Sequence, residues 1–129
     1  MTAFAKSMLV GLGGFLGANL RFWLGGWIQS RGGDAFPWGT LAVNASGSFL
    51  LGLTLALALR GDWHPGWRLF LGVGVLGGYT TFSTFSHETV RLLADGSLRF
   101  AAWSMLGNAA LGIGGAWLGI ALVRAGTGA

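Results

Sequence analysis

The chain has no cysteine, which excludes disulfides and thiolate metal sites and leaves the redox compartment open. Charge is scarce too. Only 9% of the 129 residues are charged, where a soluble domain carries roughly 25%. Paired carboxylates, a nucleophile–base set and a phosphate-cradling loop are all missing, so enzyme chemistry has no support. His64 and His87 stand apart with no metal-ligand spacing between them, and both read as interfacial side chains. The net charge of +4 raises nucleic acid as a partner. Its basic residues are scattered singly at helix ends, which argues against that partner. There is no linker, low-complexity tract or convincing repeat, so the expected unit is one domain over residues 1–129.

What is present is apolar length. A bilayer-spanning helix needs about 20 mainly apolar residues. Met8–Ile28, Trp38–Leu59, Leu69–Val90 and Phe100–Val123 all qualify. The predicted class is an all-α membrane protein with four transmembrane helices and short connections. Trp27, Trp38, Trp63, Trp67 and Trp103 fit aromatic belts at the two interfaces. The N-terminus makes a poor signal peptide, because Gly11, Gly13, Gly14 and Gly17 interrupt its apolar run and no clean cleavage site follows.

Four spans put both termini on one side, with Lys6, Arg60, Arg68 and Arg124. The opposite side holds Arg31, Arg91 and Arg99, with Arg21 on that half of span one. Cationic bias sets topology, and here it favours neither orientation. Either the chain inserts both ways and pairs with an inverted copy, or a partner or its first helix orients it. Gly13/Gly17, Ser48/Gly52, Gly74/Gly78 and Gly115/Gly119 are small residues four apart that allow close helix contact, within the monomer or across a dimer.

Residues 77–86, GGYTTFSTFS, are the most informative segment. They place two glycines, five serine and threonine side chains and two phenylalanines inside an apolar span. Each glycine weakens a helix by about 1 kcal/mol relative to alanine. A broken helix at membrane depth persists only where its freed backbone groups find protein, water or an ion. The segment reads as part of an ion or substrate path, or else as a kinked packing helix. Phe82 and Phe85 share a face flanked by Ser83, Thr84 and Ser86. A ring edge is positive and meets an anion; a ring face attracts a cation. Thr81, Thr84 and Glu88 form a neighbouring polar stripe, with Glu88 near the membrane boundary.

In span two, Thr40, Asn44 and Ser48 line one helix face. They serve as interhelical glue or as pore lining. Arg21 either snorkels to the interface or adds positive potential to an anion vestibule. In span four, Ser104 and Asn108 lie one turn apart, and Gly112 follows on the same face.

Three segments together resemble the Fluc fluoride channels, the CrcB family. They are Gly13 to Arg21 (GGFLGANLR), Gly39 to Asn44 (GTLAVN), and Gly77 to Ser86 with Glu88 after it. The resemblance covers nearly the whole chain and is weakest in span four. It implies a passive channel that exports cytoplasmic fluoride from a bacterium as a multi-pass protein of the inner membrane. The assembly it implies is an antiparallel, dual-topology homodimer with two pores. Phe82 and Phe85 would offer ring edges to fluoride, and Asn44 would donate a hydrogen bond. Thr40, Ser48, Ser83, Thr84, Glu88, Ser104 and Asn108 complete the expected path, with Arg21 at the vestibule. A structural sodium ion would sit at the dimer centre on the Gly77 and Thr80 carbonyls; no organic cofactor is implied. Members often carry a hydroxyl track along span four, and glycine at position 112 departs from it. The alternatives are a small proton-coupled multidrug transporter, which needs a membrane-embedded carboxylate that span one lacks, and a non-transporting scaffold.

Overall fold

The computed structural model describes residues 1–61 and 63–126. Four helical spans long and apolar enough to cross a membrane run Ala3–Gly32, Trp38–Ala58, Pro65–Ala94 and Leu98–Ala125. No strand occurs among the described residues. Polar and backbone devices close the ends. Thr2 caps span one, its hydroxyl accepting from the Ala5 amide at 3.2 Å. Span one stops at Gly33, whose φ of 80° lies in the left-handed region that L side chains avoid. Gln29 then clamps the corner to span two. Its amide nitrogen donates to the carbonyls of Gly33 (2.6 Å) and Phe36 (3.0 Å), and its oxygen accepts from the Gly39 amide at 3.0 Å. At the other end of the bundle, Arg60 donates to the Val123 carbonyl at 3.2 Å and ties the ends of spans two and four together.

Lipid tails are as apolar as leucine, so helices in a bilayer associate through close packing rather than by escaping water. The glycines supply that closeness. Spans one and three meet where Gly13 faces Gly74 and Val75, Gly17 faces Val75 and Tyr79, and Gly78 faces Gly14 and Ala18. A methyl on Gly13 would lie 2.9 Å from Gly74 Cα, and one on Gly78 would lie 2.8 Å from the Gly14 carbonyl oxygen. Spans two and four meet at Gly52 against Ala116, Gly115 against Ala45 and Phe49, and Gly119 against Phe49 and Leu53. All these glycines are therefore used inside the single chain. Large apolar side chains such as Phe15, Phe22, Trp23, Ile113 and Trp117 point outward, as a lipid-facing surface requires. Trp27, Trp38, Trp67 and Trp103 are exposed near the span ends.

Span three is broken, but not at its glycines. Gly77 and Gly78 stay helical, and the chain turns extended at Thr80 (φ −83°, ψ 156°) and Thr81 (φ −150°, ψ 116°) before resuming as Phe82–Ala94. Low helix propensity at Gly77 and Gly78 placed the expected break slightly early. Their missing side chains serve the approach to span one instead, and hydrogen bonds to Thr81 decide where the helix ends. Wide π-helical turns occur at Arg21–Gly25 and Arg68–Leu76, a rare winding that recurs near functional sites.

Replacing Gly17 with alanine would drive a methyl into the Val75 carbonyl and to 2.9 Å from the Tyr79 amide nitrogen. Overpacking of this kind costs about 1–3 kcal/mol. Thermal unfolding in detergent should show Gly17→Ala clearly destabilised. Gly11→Ala, whose methyl would meet nothing within 4 Å, should unfold at or above the wild-type temperature.

Candidate functional site

The break in span three is built by side chains that take over the lost helical bonds. In a continuous α-helix the Thr81 amide would return to Gly77 and the Thr84 amide to Thr80. Here the Thr81 amide donates to Asn44 Oδ1 at 2.8 Å. The Thr84 amide donates to Thr81 Oγ1 at 3.1 Å, an N-cap for the second half of the span. The Gly77 and Thr80 carbonyls thereby lose their α-helical partners. Asn44 Nδ2 also donates to the Thr81 carbonyl at 3.0 Å and to Asn108 Oδ1 at 2.9 Å. Asn108 Nδ2 in turn donates to the Ser104 carbonyl at 2.9 Å. Spans two, three and four are thus joined at one level by side-chain amides.

Two cavities meet at the break. The first, of about 430 Å³, has Arg21, Thr40, Thr81, Thr84 and Glu88 in its wall. Thr40 Oγ1 donates to Glu88 Oε1 at 2.9 Å, while Glu88 Oε2 is buried and has no partner among the described residues. The second, of about 520 Å³, is lined by Asn44, Ser48, Thr80, Thr81, Phe82, Phe85 and Asn108 among others. Thr81 belongs to both. A third cavity of about 320 Å³ continues from Glu88 past Gln29 to Asp34 and Arg91 at the span ends. The order is a polar course from the bundle end, past a carboxylate and hydroxyls, to amides and two phenyl rings.

The expected site residues divide among these places. Asn44, Ser48, Phe82, Phe85 and Asn108 come together around the second cavity, and Arg21, Thr40, Thr84 and Glu88 around the first. The Phe82 and Phe85 rings lie 5.5 Å apart at 60°, with Phe82 80% exposed on the single chain. Ser83 is exposed and lines neither cavity; its hydroxyl lies 3.3 Å from Thr81 Oγ1. Ser104 is 0% exposed and also lines neither. Its hydroxyl has no partner among the described residues, and its carbonyl anchors Asn108. Gly112 faces the second cavity, where an added methyl would sit 3.7 Å from Ser48 Oγ. Two contributors went unnoticed in the sequence. One is the backbone of Thr81. The other is Gln29, the sole glutamine, whose position shortly before two glycines at a span end was the available signal.

A profile described as CrcB-like protein, Camphor Resistance (CrcB), matches residues 8–120. The chain belongs to the CrcB family. A family member from Thermus thermophilus, named fluoride-specific ion channel FluC, is 52% identical over 91% of this chain and 92% of its own length. Proteins of the same name from Geotalea daltonii and Rhizobium meliloti are 46% and 44% identical. Those alignments cover 91% and 92% of this chain and 95% of each relative.

Proposed function

We propose that this chain is a passive, fluoride-selective channel that lets cytoplasmic fluoride leave a bacterial cell across the inner membrane. The observation that carries this reading is the second cavity. There, uncharged donors and two phenylalanine rings surround a helix break, in a family whose relatives are named fluoride-specific channels. Fluoride is small and strongly hydrated, so a pore must replace its water with donors. Hydroxyls, amides and ring edges do this without the deep trap of a buried lysine, and conduction needs sites that bind yet release. Arg21 gives the first cavity a positive group where an anion would gather.

The working unit of this reading is an antiparallel homodimer with two pores. Balanced arginine placement supports it. So does Phe82, which a lone chain leaves open to lipid beside polar groups. A sodium ion suits the break, because hard cations take oxygen ligands and the Gly77 and Thr80 carbonyls have lost their α-helical partners. Uncoordinated carbonyls in lipid each cost several kcal/mol. The ion would stabilise the break and add positive potential near the anion path.

Liposomes containing only this protein should release fluoride down its gradient, with no dependence on a proton gradient. Proton-coupled cation exchange, or no flux, would overturn the reading. Phe82→Ile and Phe85→Ile keep apolar bulk and lose the positive ring edge; each should slow efflux by about tenfold or more while the protein stays folded. Wild-type efflux in both would make the rings packing residues.

A C-terminal tag should be reachable by an impermeant reagent from both sides of the membrane. Labelling from one side only would sink the antiparallel dimer. Thermal stability in detergent should rise on adding sodium and should not rise with potassium at equal ionic strength. Identical melting in the two salts would remove the sodium assignment.

A further inference from the structure

The end of the bundle that holds both termini carries a crevice remote from the break. It has a volume of about 370 Å³, and its wall is formed by Leu9 of span one and by His64, Gly66, Trp67 and Phe70 where span three begins. A neighbouring hollow of about 520 Å³ shares His64 and Trp67 and adds Trp63 and Leu71. Gly66 brings the two spans together. It is buried, and a methyl there would lie 3.3 Å from Leu9 Cδ1 and 3.1 Å from His64 Nδ1. Trp67 and Phe70, three residues apart, share a helix face and meet edge to face at 6.1 Å. Trp67 stays 54% exposed.

His64 is the one polar side chain in the crevice wall. The Gly66 amide donates to its Nδ1 at 3.1 Å. A backbone N–H can only donate, so Nδ1 is bare and the ring hydrogen is on Nε2. That N–H has no partner among the described residues. Two cations stand beside the crevice. Lys6 lies three residues before Leu9 on span one, and Arg68 follows Trp67. Both are exposed, and neither side chain makes an ion pair or hydrogen bond among the described residues. Their stems can lie along apolar surface while the charges stay at headgroup level, the level at which exposed tryptophans gather. An apolar crevice with an N–H donor and two cations beside it complements an apolar chain that ends in an anionic group.

We propose that this crevice binds an anionic phospholipid of the surrounding leaflet. An acyl chain lies against Leu9, Trp67 and Phe70, and the phosphate meets Lys6, Arg68 and the His64 Nε2–H. Each lysine or arginine near a membrane surface favours an anionic lipid by about fivefold. A zwitterionic lipid carries its own cation beside the phosphate and gains less from these side chains. The bound lipid ties the starts of spans one and three together. The proposal needs only the membrane setting of the chain and is independent of the ion it carries.

Tryptophan fluorescence tests it. The full chain is placed in phosphatidylcholine liposomes that contain a small fraction of phosphatidylglycerol with brominated acyl chains, or the same fraction of brominated phosphatidylcholine. Bromine quenches an indole that it touches, and the Trp67 signal is the difference between wild type and Trp67→Phe. Brominated phosphatidylglycerol should half-quench that signal at about one-fifth of the mole fraction that brominated phosphatidylcholine needs, or less. Lys6→Gln combined with Arg68→Gln should erase the preference, and Arg99→Gln at the opposite end should keep it. Equal quenching by the two lipids would overturn the proposal. So would a preference that survives the double variant or that Arg99→Gln also abolishes. Thermal unfolding of the wild type in detergent gives a second measurement, which stands even if the double variant fails to fold. Added phosphatidylglycerol should raise the melting temperature more than phosphatidylcholine does, and inorganic phosphate at the same concentration should not raise it. An equal effect of the two lipids, or the same rise with phosphate alone, would refute a bound anionic lipid.

Discussion

A side-chain amide paired with a backbone amide holds this structure at its critical point. Asn44 meets both the N–H and the carbonyl of Thr81, as a neighbouring strand would. In a bilayer the backbone has no water to fall back on, so an interrupted helix needs a substitute partner or does not form. Asn44 is that partner. With it in place, Thr80 and Thr81 can run extended, Thr81 can cap the second half of span three, and Phe82 and Phe85 emerge beside the amides. The cavities on either side of Thr81 exist because the span is not continuous there.

Glycine packing makes the amide contact possible. Spans one and three approach until backbones nearly touch at Gly13, Gly17, Gly74 and Gly78, and spans two and four do the same at Gly52, Gly115 and Gly119. Two tight helix pairs leave the polar level between them, where span two faces the break. Little large side-chain volume is buried; the fully covered residues include Val43, Ala101 and Ser104. Order in such a bundle comes from contact distance and directed hydrogen bonds, since lipid supplies no hydrophobic force between helices.

Much of this was legible in residue order. Four spans followed from apolar length, and the interruption of span three from a hydroxyl-rich segment inside an apolar run. The spacing of Thr40, Asn44 and Ser48 put them on one face, and the structure gives each of them to a cavity wall. The division of that face between two cavities was not legible, because Thr81 crosses between the spans at the Asn44 level. Ser104 shows the same limit. It lies one turn before Asn108, yet its hydroxyl is sealed inside while the Asn108 amide reaches the cavity wall. Helical spacing assigns a direction around the axis but not the depth to which a neighbouring helix covers it.

The sequence by itself determined the membrane setting, the span count and the stock of uncharged donors, because hydropathy and side-chain chemistry are properties of each residue and its near neighbours. Tertiary structure alone decided where span three breaks and which donors are spent. Those outcomes depend on Asn44, Thr81 and Asn108, which are 37 and 64 residues apart when counted from Asn44. A hydrogen bond has a direction and a limited number of protons, so which groups remain free is known only once the partners have met in space.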